Sequence, residues 1–195
     1  GVFDLAYLNC IPNLIVFAPL NEIALRNILY TAQLGLNHPI AIRYPRGRGE
    51  STHWQQPFEA IAVGKAQQLR QGSKIAILST GTIGNNVIKA LKEINNCGLF
   101  SHYDFGFVKP LDETMLATIM ATYSEIITVE DGVITGGFGS TISAFAAKKG
   151  YSLKINMLGV PNEFIEHGKV EELQEIAKIG VHDITETILF HLKQL

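Results

Sequence analysis

The chain reads as an α/β protein built on a doubly wound, mostly parallel sheet, and three observations predict this. Short apolar runs end at turn residues, helical stripes of apolar residues separate those runs, and a helical crossover joins the first two of them. Two strands joined through a helix have room only for parallel pairing.

Residues 14–17 (Leu-Ile-Val-Phe) form a buried strand ended by Ala18-Pro19. Asn21 is a candidate cap for the next helix, whose apolar stripe is Leu25, Ile28, Leu29 and Ala32. Gly35 and Pro39 stop that helix, and residues 40–44 are the second extended segment. Between residues 47 and 57 apolar periodicity lapses, which marks a linker.

Beyond it, residues 61–69 and 74–79 flank Gln71-Gly72, a pattern that predicts a hairpin with one antiparallel strand. A helix follows with Val87, Ile88, Leu91 and Ile94 on one face, then an extended segment over 103–108. Asp112 caps a helix through Leu116, Ile119 and Met120; residues 125–129 are a strand, and a helix runs from Gly137 to Lys149. A last strand over 153–158 and helices over 170–177 and 183–191 complete the pattern.

Composition narrows the function classes. With 47% hydrophobic and 17% charged residues among 195, the chain can bury a substantial core. A net charge of −2 without clustered Lys and Arg argues against nucleic acid as a partner. No apolar run approaches the roughly 18 residues of a membrane helix, so no membrane association is expected. Cys10 and Cys97 have no metal-like spacing and read as reduced thiols of a cytoplasmic protein. Gly1 opens the sequence without a charged-then-apolar leader, so no secretory signal is expected.

Candidate sites compete with plainer readings. The glycine-rich turns 79–84 and 135–140 each stand between a strand and a helix, where backbone N–H groups can cradle a phosphate. Neither matches a dinucleotide or Walker A pattern, and tight packing demands glycine equally, so the structural reading leads. Arg43 and Arg46, in residues 42–47 (Ile-Arg-Tyr-Pro-Arg-Gly), leave the C-terminal end of a parallel strand, where such sheets place ligands. Arginine suits bidentate binding of phosphate; surface arginines or salt bridges between domains explain the pair about as well. Glu130 and Asp131 end a strand, where acids more often cap the next helix than serve acid–base chemistry. His167 reads as a structural or interface residue, and His38, His53, His102, His182 and His191 form no ligand spacing.

Six collinear stretches together resemble the 1-deoxy-D-xylulose-5-phosphate synthase family of transketolase-like, thiamine-diphosphate-dependent enzymes. They are residues 1–8 with 10–12, 41–47 (Ala-Ile-Arg-Tyr-Pro-Arg-Gly), 107–112 (Phe-Val-Lys-Pro-Leu-Asp), 129–139, 158–161 and 164–168. The resemblance implies that residues 1–47 are the last part of an α/β pyrimidine-binding domain, 48–60 a linker, and 61–195 a transketolase-like C-terminal domain. It also implies condensation of pyruvate with D-glyceraldehyde 3-phosphate with loss of CO2, feeding isoprenoid, thiamine and pyridoxal synthesis. Thiamine diphosphate and Mg²⁺ are then the cofactors, and a homodimer the expected assembly. By the match, Arg46 holds the phosphate of glyceraldehyde 3-phosphate, and Arg43 supports its loop.

The family's diphosphate and Mg²⁺ motif, its activating glutamate and an active-site histidine all belong upstream of Gly1. The chain therefore resembles the last quarter to third of such an enzyme and is expected to be inactive alone, with no cofactor bound and no catalytic residue of its own. Other readings are a fragment of transketolase or of a 2-oxo-acid dehydrogenase β subunit, a free phosphate- or nucleotide-binding module, and a dimerisation module. Residues 1–46 supply only part of a sheet, so their edge and helix faces are expected to lack partners unless another copy covers them.

Overall fold

The computed structural model describes residues 1–47, 49, 53–95 and 97–194. Five strands form the larger sheet: β3 (Gln67–Arg70), β4 (Ile75–Thr80), β5 (Phe100–Asp104), β7 (Glu125–Val133) and β8 (Lys154–Val160). Their spatial order is β3-β5-β4-β7-β8, with every pair parallel except β3 on β5. The mostly parallel, doubly wound sheet predicted from the sequence is therefore present.

Alternation along β4 decides what covers each face. Ile75 and Ile77 point to one side, beneath α3 (Gly84–Glu93) and α7 (Val181–Leu192), with Val87, Leu91, Ile184 and Ile188. Ala76 and Leu78 point to the other, beneath α4 (Glu113–Thr122) and α5 (Phe138–Lys149), with Leu116, Ile119, Phe138 and Ile142. Asp112 caps α4 as expected, its Oδ1 accepting from the Met115 N–H at 3.0 Å. The exposed α6 (Val170–Ile176) leads into α7.

The predicted hairpin is corrected. β3 is antiparallel, but its partner is β5, and β4 lies one strand further in. β4 is buried along its whole length and apolar over residues 75–78, which suits a central strand between two parallel neighbours. The sequence Gln-Gln-Leu-Arg of β3 suits an edge. Gly72, expected to turn β3 into β4, instead donates its N–H to Ser101 Oγ on β5 at 2.8 Å.

The extended run predicted over 103–108 is also two strands, not one. Phe105 and Gly106 interrupt it, and β6 (Phe107–Lys109) joins a second, three-stranded sheet of order β2-β1-β6. β1 (Ile15–Phe17) and β2 (Ile40–Ile42) pair in parallel through α2 (Glu22–Gln33), as expected, while β6 runs antiparallel to β1. At the break, the Ala18 N–H donates to the Gly106 carbonyl at 2.8 Å. A Cβ at Gly106 would come within 2.7 Å of the Phe17 ring, so glycine permits the two sheets to meet there.

The first segment thus finds its partner inside the chain, against the expectation that its edge stays open. The start of the chain and α1 (Asp4–Asn9) add further ties: the Val133 N–H donates to the Val2 carbonyl at 2.8 Å, and Asn9 Nδ2 to Thr141 Oγ1 at 3.0 Å. On α2 the expected cap at Asn21 is present, accepting from the Ala24 N–H at 3.0 Å. The buried stripe differs, because Ile28 is covered while Leu29 is exposed. Asn27 and Thr31 are buried instead, accepting the N–H groups of Glu59 (3.2 Å) and Ile61 (2.8 Å).

The stretch read as a linker is, where described, strapped along α2. Arg26 donates to the carbonyls of Trp54 and Gln56 and lies 4.0 Å from the Phe58 ring centre, and Phe58 stacks on Tyr30. Positions 48 and 50–52 of that linker lie outside the described residues.

Candidate functional site: an arginine loop beside two acids

β2 delivers Arg43 to the C-terminal end of the smaller sheet, where its N–H donates to the Phe17 carbonyl at 2.8 Å. The side chain then crosses to the larger unit. Its Nε lies 3.3 Å from Asp4 Oδ2, its Nη1 3.6 Å from Asp131 Oδ2, and its Nη2 donates to the Asp131 carbonyl at 2.6 Å. The three side chains are 14–21% exposed, so the pairs are partly shielded from water. Arg43 is thus a salt-bridged arginine, held by Asp4 of its own segment and by Asp131 of β7.

Arg46 differs. Three residues on, it is exposed, and among the described residues it forms no ion pair and donates no hydrogen bond. Its guanidinium is available to an incoming anion.

Glu130 and Asp131 have separate tasks. Asp131 faces Arg43, whereas Glu130 is fully buried, its Oε2 accepting the Phe138 N–H and its Oε1 the Gly139 N–H, each at 2.8 Å. It caps α5, so two N–H groups of the glycine-rich turn 135–140, those of Phe138 and Gly139, are spent on the chain's own carboxylate. Burial holds the Glu130 carboxyl up at about 7 against its ordinary 4.5, opposed by the Gly139 and Phe138 donors and by Arg43. The other glycine-rich turn, 79–84, is covered as well. Asn85 Nδ2 donates to the Leu20 carbonyl at 2.8 Å, and Gly84 packs against Leu20 and Ser79.

Sequence reading missed a buried polar group on the α3 side of the sheet. Ser79 Oγ on β4 lies 2.8 Å from His102 Nε2 on β5. Burial lowers His102 from 6.5 to about 4, leaving a neutral ring. Asp104 follows two residues on, raised by burial from 3.8 to about 7, with no partner for Oδ1. Ser79 and His102 are closed to solvent, so the pair is structural. Only the register of β4 on β5 reveals it.

His167 is exposed, while His191 is buried with Nδ1 2.8 Å from Glu125 Oε1. Both cysteines are free. Among the described residues no group of three or more His, Cys, Asp or Glu could hold a metal ion. No helix among the described residues is long and apolar enough to cross a membrane.

Residues 64–184 match the family model described as transketolase, C-terminal domain. The chain belongs to the transketolase C-terminal domain family. The family's region takes in the whole larger sheet and also β6, the strand lent to the smaller one.

Relatives extend the likeness beyond that region. The 1-deoxy-D-xylulose-5-phosphate synthase of Parabacteroides distasonis is 46% identical over 189 residues, covering 96% of this chain and 30% of the relative. The synthases of Cytophaga hutchinsonii and Carboxydothermus hydrogenoformans are 45% and 38% identical, each over at least 96% of the chain and 30% of the relative. The chain thus spans about 30% of the length of these curated relatives, and the stretch matched is collinear with nearly all of it.

Among solved structures, a split-gene transketolase described as an inactive beta4 tetramer superposes with a TM-score of 0.85 at 23% identity. That match covers 99% of this chain and 62% of the other. Transketolase from Campylobacter jejuni gives 0.67 at 19%, over 95% and 27%. At these identities the likeness is one of fold. It includes the smaller sheet, because the superposed region exceeds the family region at both ends.

Proposed function

We propose that this chain is the C-terminal portion of a 1-deoxy-D-xylulose-5-phosphate synthase. The enzyme condenses pyruvate with D-glyceraldehyde 3-phosphate with loss of CO2, for isoprenoid, thiamine and pyridoxal synthesis. The observation that carries the reading is 46% identity to such a synthase sustained over 96% of the chain, both segments included. In this reading the enzyme is a cytoplasmic homodimer that uses thiamine diphosphate and Mg²⁺ and engages neither nucleic acid nor membrane. The cofactors are held by the portion preceding Gly1, and this chain alone binds none.

The part of the reaction assigned to this chain is recognition of the phosphorylated acceptor. Arg46, exposed at the C-terminal end of a parallel strand, offers a planar two-donor fork to the phosphate of glyceraldehyde 3-phosphate. Arg43 belongs to the same loop but has its donors engaged.

The test is turnover of pyruvate and glyceraldehyde 3-phosphate with thiamine diphosphate and Mg²⁺. It compares the longer gene product, its Arg46→Ala variant and this chain alone. The expected result is an active long product, weakened affinity for the phosphorylated acceptor in the variant, and an inert chain. An inactive long product would remove the assignment, and turnover by the chain alone would place the catalytic site elsewhere than proposed.

A further inference from the structure

We propose that Arg43 is a positioning residue for Arg46, locked between Asp4 and Asp131, and is not a second ligand of the acceptor phosphate. The inference rests on the reading of Arg46 given above and adds what holds it. Three acceptors surround one guanidinium: Asp4 Oδ2 from α1, and Asp131 Oδ2 and the Asp131 carbonyl from the last third of β7. A phosphate reaching Arg43 would have to displace two carboxylates that lie 39 and 88 residues away in sequence and converge on the same group.

That convergence has a geometric effect. Arg43 is the first residue past β2, and its backbone N–H is held by Phe17 on β1. With side chain and backbone both held, the direction in which residues 44–46 leave the sheet is set by α1 and β7 together. Pro45 lies between the two arginines and restricts the backbone further, so little freedom separates the anchor from Arg46. Pre-organising one donor with neighbours that never touch substrate is the ordinary way to hold a binding group within the tolerance that recognition needs.

Two carboxylates and one peptide carbonyl around one cation also explain the division of exposure. Arg43 is mostly covered and Arg46 is open, although only two residues separate them. Arginine is required at position 43 because its fork reaches both acids and the carbonyl together; a lysine ammonium is a single point of charge.

The deciding variant removes both carboxylates and leaves the guanidinium: Asp4→Asn with Asp131→Asn. In the longer synthase, wild type, this double variant and Arg46→Ala are each assayed with glyceraldehyde 3-phosphate and with unphosphorylated glyceraldehyde. The double variant is expected to raise KM for the phosphorylated acceptor about tenfold or more, as a small misplacement does. Its kcat, and its KM for pyruvate and for glyceraldehyde, should stay put. Equal loss with both acceptors would mean a merely structural bridge and overturn the proposal. Tighter binding of the phosphorylated acceptor would mean that the freed Arg43 is itself a ligand, and would overturn it too. If Arg46→Ala leaves discrimination between the acceptors intact, the reading of Arg46 has failed instead. Independently of activity, hydrogen exchange on the 195-residue chain should show the Arg43 amide exchanging faster in the double variant while the amides of α5 do not. Absence of that difference would show that the two acids do not hold the strand end.

Discussion

Glu130 and Gly137 share one space: a Cβ on Gly137 would lie 2.3 Å from Glu130 Oε2 and 2.2 Å from the Val133 carbonyl. The carboxylate can reach the start of α5 only because position 137 carries no side chain. Gly137→Ala is therefore expected to destabilise the chain by about 2 kcal/mol or more, since neither the backbone oxygen nor the capped carboxylate can retreat. Chemical denaturation of the two proteins side by side checks this, and an unchanged midpoint would show that the turn relaxes freely.

Glu130→Ala removes the acceptor for two buried N–H donors, those of Phe138 and Gly139. A loss of about 2 kcal/mol is expected from the unsatisfied donors. A phosphate ion supplied in solution should restore part of it by entering the vacated helix start. Thermal melts with and without phosphate, on wild type and variant, report both effects.

Asp104 links stability to pH. Burial raises it from 3.8 to about 7, so the folded state favours the protonated form. Its contribution is complete below about 3.8 and is lost as pH rises towards about 7. Asp104→Asn should abolish that part of the pH slope and leave the variant more stable than wild type at pH 8, by on the order of 2 kcal/mol. Equal slopes in urea melts from pH 4 to pH 8 would show that the carboxyl is hydrated in the fold.

His102 has the opposite sign. Burial lowers it from 6.5 to about 4, so its neutral form contributes stability that is lost as pH falls through that window. Ser79→Ala, which removes its 2.8 Å partner, should cost about 1–2 kcal/mol at pH 7. His102 ring resonances followed by NMR would titrate well below the free histidine range; titration near 6.5 would contradict the buried placement.

The strap on α2 has a built-in reporter, because Trp54 is the one tryptophan in the sequence. Arg26→Ala removes the donors to the Trp54 and Gln56 carbonyls and the cation over Phe58. The expected outcome is a red shift of Trp54 emission with a stability loss of about 1 kcal/mol. Unchanged emission would place the strap's hold elsewhere.

Local signals were the legible ones. Asn21 and Asp112 announce helix starts because a cap and its N–H lie three residues apart. The parallel pairing of β1 and β2 follows from one short crossover, and the glycine before α5 from the turn it must make. Partners distant in sequence were not legible. Nothing near Gln67 or Gly72 indicates that β3 belongs beside β5, and Ser79 meets His102 only through strand register. For the arginine loop, type and strand position suggested an anion site but could not separate the two residues. Asp4 and Asp131 make that distinction, and they come from positions far apart in the sequence.

β6 comes from the longer segment and completes the shorter segment's sheet, so the covalent join between the two is not what keeps them together. Lys109, at the end of that strand, donates to the Asn9 and Ile11 carbonyls at 2.9 and 2.6 Å, and Arg43 makes its bridge nearby. Cut the backbone between Ala62 and Lys65 and the ladder, the lysine and the bridge all survive. Two such pieces, expressed from separate messages, have the means to reassemble on mixing. The shorter piece alone is expected to stay unfolded, because without the longer one its sheet lacks β6.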